Sequence, residues 1–186
     1  MASDDVWILG ISMTRFGKHP DSDLIDLAAE ATMNSIADAG ITMREIGILA
    51  AGNLRGGGGI GQALQKQVGQ TGIPVYNVAN ACATGATAIR VVHMALRAGE
   101  ADFGLAIGVE KLAGGERVGD SATWSPQGRF GAIGPLDGRI GTETMPGVFA
   151  QIGMEYGHRY GGTSFELFAR ISEKNHAHST LNPLAS

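Results

Sequence analysis

Through the first 110 residues, short apolar runs alternate with amphipathic stretches, and this alternation predicts the secondary structure. Residues 6–11 (VWILGI) read as a short buried strand. Asp21, Ser22 and Asp23 then offer N-caps for a helix with apolar positions Leu24, Leu27, Ala28, Ala31 and Ile36, and Gly40 ends it. Residues 46–51 form a second apolar strand. Glycines 56–59 lead into a helix over about 60–68. Gly72 and Pro74 break the chain before a third strand at 75–79. A long helix follows over about 82–97, closed by Gly99, and residues 102–109 make a fourth strand. The order is βαβαβαβ, with crossovers long enough for parallel pairing. Runs that are apolar on both faces predict a sheet covered on both sides.

After Glu110 the texture changes. Residues 111–147 are glycine-rich, carry Trp124, Pro126, Pro135 and Pro146, and show no period. Such a stretch is too long for an ordinary connection. Helical patterning resumes over 149–160 and about 164–176, and 181–184 read as loop. The chain thus divides into an α/β layer domain, 1–110, and an insertion lying over it, 111–186. With four strands the α/β unit looks unfinished. No internal repeat is present.

Composition narrows the function classes. The chain has 186 residues, 44% of them hydrophobic, enough for a sizeable core. The net charge is -4 and no Lys/Arg block occurs, which argues against nucleic-acid binding. One cysteine excludes an internal disulfide and fits a reducing compartment. The start, Met-Ala-Ser-Asp-Asp, is acidic where a signal peptide is basic. No apolar run reaches the ~18 residues of a membrane helix. These features predict a cytoplasmic protein. The 29 glycines lie between apolar segments, where they serve turns and close packing.

The segment Asn80-Ala-Cys82-Ala-Thr-Gly85-Ala-Thr-Ala-Ile89 carries the most chemistry. Cys82 falls where strand gives way to helix. A helix N-terminus has unpaired N–H groups and the positive end of the dipole, and both favour a thiolate. Ala83, Gly85, Ala86 and Ala88 are small, so a substrate can reach the sulfur. The helix is apolar nearly all round, which predicts a central, buried position. A buried structural cysteine is the ordinary role of a lone Cys and stays open on these residues alone. His93 fails as its base: it lies eleven residues on, about 16 Å along a helix axis.

This segment resembles the nucleophile motif of thiolases, most closely the sterol-carrier-protein type. Gly108-Val109-Glu110-Lys111-Leu112 resembles the glycine-glutamate turn after that family's fourth strand. Residues 174–183, with Lys174, His176, His178, Asn182 and Pro183, resemble the subgroup's loop-domain signature. The resemblance implies a layered αβαβα fold of two similar halves, with a loop domain interrupting the first. The chain then corresponds to an N-terminal half plus loop domain, and members are roughly twice its length. The acid/base histidines would lie in a second half. The implied activity is thiolase-type acyl transfer, forming or cleaving a C–C bond in a 3-ketoacyl-CoA through S-acyl Cys82. Coenzyme A or acyl-CoA is then substrate, with no resident cofactor. Arg129, Arg139 and His176 are candidates to hold it, as is Arg170, and Trp124 and Phe130 could wall its channel. Ordinary surface charge and core packing explain these residues equally well. The resemblance also implies a homodimer through the strand at 75–79. An alternative is retro-aldol cleavage of a steroid-side-chain acyl-CoA with an OB-fold or zinc-ribbon partner chain, for which Tyr156 and Tyr160 are candidates. A non-catalytic half-thiolase that binds acyl-CoA is a third reading.

Two further patterns carry less. Gly56-Gly-Gly58-Gly-Ile-Gly61 matches G-x-G-x-x-G, but residues 75–82 hold no acidic partner and the match follows the second strand, so a flexible loop is the better reading. His158, His176, His178 and Glu173 lack the cysteines and spacing of a metal site.

Overall fold

A computed structural model describes residues 5–54, 56–111 and 145–185. They fall into two compact units, one up to Lys111 and the other over 145–185. The first is an α/β unit. It holds α1 (Leu24–Ala39), β1 (Ile48–Gly52), α2 (Ile60–Val68), β2 (Val75–Val78), α3 (Thr84–Ala98) and β3 (Gly104–Gly108). The strands form one parallel sheet in the order β2-β1-β3.

Local sequence accounts for α1. Asp23 accepts the N–H groups of Ile25 and Asp26, and the Asp26 carboxylate accepts the Asp23 N–H at 3.0 Å, a reciprocal capping box. Gly40 ends the helix at φ 69°, a left-handed geometry that glycine adopts without strain. On the central strand β1 every residue is buried. Leu49 and Ala51 pack with Ala28, Ala29 and Ile36 of α1, Ile60 and Leu64 of α2, and Leu105 and Ile107 of β3. Ala50 faces the other way, against Ala88 and Val92 of α3. Alternate residues of β1 therefore feed two cores on opposite faces, the parallel-sheet arrangement expected.

Three sequence expectations are corrected. Residues 6–11 are not a strand: Trp7 is 75% and Ile8 81% exposed, and no regular structure forms there. The segment lies along α1. Ile11 donates its N–H to the Asp38 carboxylate at 2.9 Å, and a Cβ on Gly10 would stand 2.4 Å from the Ser35 carbonyl oxygen. Its backbone is engaged by a helix, and β1 pairs directly with β3, so the described sheet has three strands rather than four. Second, α3 is not buried all round. Thr84, Ala88, Val92 and Ala95 face the sheet, while Ile89 is 61% exposed. A sheet covers only one stripe of a helix, whatever the composition of the rest. Third, α3 starts at Thr84, so Cys82 precedes the helix.

The second unit holds α4 (Met145–Tyr160) and α5 (Phe165–Ser179). Gly161 and Gly162 turn the chain at φ 70° and 77°. Ser164 then caps α5 by accepting the Leu167 N–H at 3.2 Å. Phe168 packs on Gly153, where a Cβ would stand 3.0 Å from the ring. No helix among the described residues is long and apolar enough to cross a membrane.

Candidate functional site

Cys82 is exposed, in the connection from β2 to α3. Its neighbour Ala81 has φ 46°, the left-handed region that non-glycine residues rarely occupy. That turn leads the chain from β2 towards α3, and the surrounding bonds over-determine it. The Thr84 hydroxyl accepts the Asn80 N–H at 2.8 Å and donates to the Ala81 carbonyl at 2.7 Å. Ala83 donates its N–H to the Asn80 carbonyl at 2.9 Å. One turn later, Thr87 accepts from the Asn80 amide at 3.0 Å and donates to the Ala83 carbonyl at 3.0 Å. Cys82 is thus held in a short, hydrogen-bonded elbow. The N-cap position falls on Ala83, which supplies no side-chain cap.

Two strand ends support this elbow from below. A Cβ on Gly52 would meet Thr84 Cγ2 at 2.9 Å, and one on Gly108 would meet Gly85 Cα at 3.3 Å. The first turn of α3 therefore rests on the glycines that end β1 and β3. Asn53 donates its N–H to the Val78 carbonyl at 3.1 Å, and its amide donates to the Val109 carbonyl at 2.7 Å. The ends of all three strands meet there, at the carboxyl edge of the sheet, where open α/β sheets bind ligands.

The other candidates are dispersed. His93 is within α3; its Nδ1 is buried without a partner, and the ring lines a shallow cleft with Val6 and Trp7. His176 points its Nδ1 at the Ser172 carbonyl of its own helix, 2.7 Å away. Tyr156 and Tyr160 meet on α4 with tilted rings, centroids 4.9 Å apart, both exposed. The Arg170 guanidinium pairs with Glu166 at 2.6 Å on the surface of α5. Arg129, Arg139, Trp124 and Phe130 lie outside the described residues. Among the described residues no group of His, Cys, Asp and Glu could hold a metal ion. The N–H of Gly61, in the glycine-rich match, is taken by the Asn77 side chain at 2.8 Å, which caps α2 from the neighbouring strand.

Sequence reasoning passed over Asn53, Asn80, Thr84 and Thr87 as framing residues. Asn80, Thr84 and Thr87 carried a signal, being short polar side chains at helical spacing around a helix start. Asn53 carried none, since its side-chain partner lies 56 residues away.

The sequence pattern of the family described as "Thiolase, N-terminal domain" matches residues 6–128. The chain belongs to the thiolase family. It is 38% identical over 185 residues to a sterol carrier protein 2 of Gallus gallus, a match covering 96% of the chain and 33% of that protein. It is 31% identical over 186 residues to an acetyl-CoA acetyltransferase of Methanothermobacter thermautotrophicus, covering 97% of the chain and 46% of the relative. The chain thus spans between a third and a half of the length of these relatives. Among solved structures, a 3-oxoacyl-[acyl-carrier-protein] synthase III from Aquifex aeolicus shares 16% identity at a TM-score of 0.42, over 47% of this chain and 29% of the other.

Proposed function

We propose that this thiolase-family chain supplies the acyl-accepting cysteine of an acyltransferase acting on 3-ketoacyl-CoA. One observation carries the reading: Cys82 is exposed in a bonded elbow, immediately before a helix whose first turn has no side-chain cap. A cap would occupy the N–H groups that otherwise face an approaching anion. In thiolysis the Cys82 thiolate attacks the 3-keto carbonyl carbon. The C2–C3 bond breaks, its electron pair passes to C2 of the leaving acyl-CoA, and a proton supplied there completes it. The acyl group, now on Sγ, passes to the thiol of free coenzyme A. The Cys82 N–H could contribute to an oxyanion hole. The name of the archaeal relative, acetyl-CoA acetyltransferase, is in keeping with this chemistry.

In this reading Arg129, Arg139 and His176 contact the coenzyme, and the acid/base groups come from a second thiolase half. The protein works in the cytoplasm as a homodimer joined through β2. The test is acyl trapping. The chain is incubated with acetoacetyl-CoA and quenched, and its mass is measured. Once a second half is supplied, steady turnover and one acetyl group on Cys82 are expected, with none on Cys82→Ala; the chain alone should show negligible acyl transfer. Acetylation that persists in Cys82→Ala, or a wild type left unlabelled with the second half present, refutes the assignment.

Two relatives bear the names sterol carrier protein 2 and non-specific lipid-transfer protein-like 2, and names of that kind favour a second reading, in which the chain binds its acyl-CoA without acyl transfer. Retention of the coenzyme A ester with no mass increase on Cys82 would identify it.

A further inference from the structure

We propose that Glu110 is a positioning residue for Cys82, acting through the strand ends beneath α3; this rests on reading Cys82 as the nucleophile. β1 and β3 are neighbours in the sheet, yet their ends are far apart in sequence. Their backbone ladder ends at Gly52 and Gly108, and no local turn joins the chain beyond it, so side chains tie the two segments together there. Glu110 does so from just beyond β3. Its Oε2 accepts the Leu54 N–H at 3.0 Å, and its Oε1 lies 3.5 Å from the Asn53 amide nitrogen. That amide also donates to the Val109 carbonyl at 2.7 Å, while the Asn53 Oδ1 accepts the Gly56 N–H. The Val109 N–H closes the ring on the Gly52 carbonyl at 3.0 Å.

What this clamp holds is the seat of the elbow. Gly52 and Gly108 are the residues on which Thr84 and Gly85 rest, with no room for a Cβ at Gly52. Thr84 in turn makes the two bonds that frame Asn80 and Ala81 around Cys82. The Asn53 N–H reaches the Val78 carbonyl, on the strand that leads into the elbow. A carboxylate suits the post because both its oxygens only accept, and both face donors. Lys111, one residue on, points elsewhere, its Nζ donating to the Ser22 carbonyl at 2.6 Å. It anchors the same stretch of chain without touching the strand-end clamp.

The experiment uses the 186-residue chain, in which Cys82 is the single thiol, so an alkylating reagent reports on it alone. Iodoacetamide rates at pH 7 are measured folded and in urea, with the Cβ chemical shift of Cys82 as a spectroscopic signature. Glu110→Ala should slow folded alkylation about tenfold and move the Cys82 shift, because the displaced sulfur leaves the uncapped N–H groups at the start of α3. Glu110→Gln keeps one acceptor for Leu54 and should restore the rate to within about threefold of wild type. Lys111→Met should lower the thermal midpoint while leaving rate and shift unchanged. Should Glu110→Ala fail to fold, Asn53→Ala replaces it and should give the same slowing. A wild-type Cys82 no more reactive folded than in urea overturns the nucleophile reading. A reactive wild type with unchanged Glu110→Ala, or with Lys111→Met matching it, overturns the positioning role alone.

Discussion

At the scale of single residues, the elbow depends on Thr84 more than on any other side chain. It is buried, and its hydroxyl serves one donor and one acceptor of the turn that carries Cys82. Its methyl group seats on Gly52. Thr84→Val keeps the shape and the methyl contact but removes both bonds, leaving the Asn80 N–H without its acceptor. A loss of about 1–3 kcal/mol is expected from denaturant unfolding, together with slower alkylation of Cys82. Unchanged stability would mean that the Asn80 N–H finds another acceptor.

At the scale of elements, α1 is stabilised by chemistry written in its own first turn. The Asp26 carboxyl is held below the usual aspartate range. The chief cause is the Asp23 backbone N–H bonded to it, followed by the Gln67 amide and the charge of Lys111. A group whose value is lowered on folding contributes stability above its unfolded value, near ~3.9, and loses it as pH falls through the lowered one. Asp26→Asn should therefore reduce the thermal midpoint at pH 7, and its gap from wild type should close as the pH falls through that lowered value. A gap that is constant across pH would show that the amide replaces the carboxylate fully. An N-cap among Asp21, Ser22 and Asp23, and the stops at Gly40 and Gly99, were legible in the sequence, because caps are contacts between near neighbours. The extent of burial on α3 was not. Its apolar composition suggested burial all round, yet which stripe is covered depends on a sheet built from distant segments.

At the scale of the whole molecule, the open question is what pairs with the sheet edge. β2 has β1 on one side and no strand on the other among the described residues. Its run of Val75, Tyr76, Asn77 and Val78 carries no charge, and Tyr76 is 45% exposed. Unprotected edges of this kind pair. Sedimentation at tens of micromolar should show a two-fold homodimer, and Tyr76→Lys should shift it towards monomer with the fold intact. A wild-type monomer at that concentration would remove β2 as the interface.

The sequence by itself determined the parts of this protein that rest on short-range chemistry. Helix caps, glycine stops, apolar strands and a cysteine at a strand-to-helix boundary are all set by residues within a few positions of one another. The segment around Cys82, read with two other stretches, also carried the family. Tertiary structure alone decided three things. It left residues 6–11 outside the sheet, because their backbone is engaged by α1 and β1 already pairs with β3. It set Cys82 before α3 rather than within it, because the left-handed turn at Ala81 is closed by bonds to Thr84. It joined Asn53 to Glu110 across 57 residues of sequence, beneath the elbow. Periodicity shows which face of an element seeks burial; only the packed sheet settles what it is buried against.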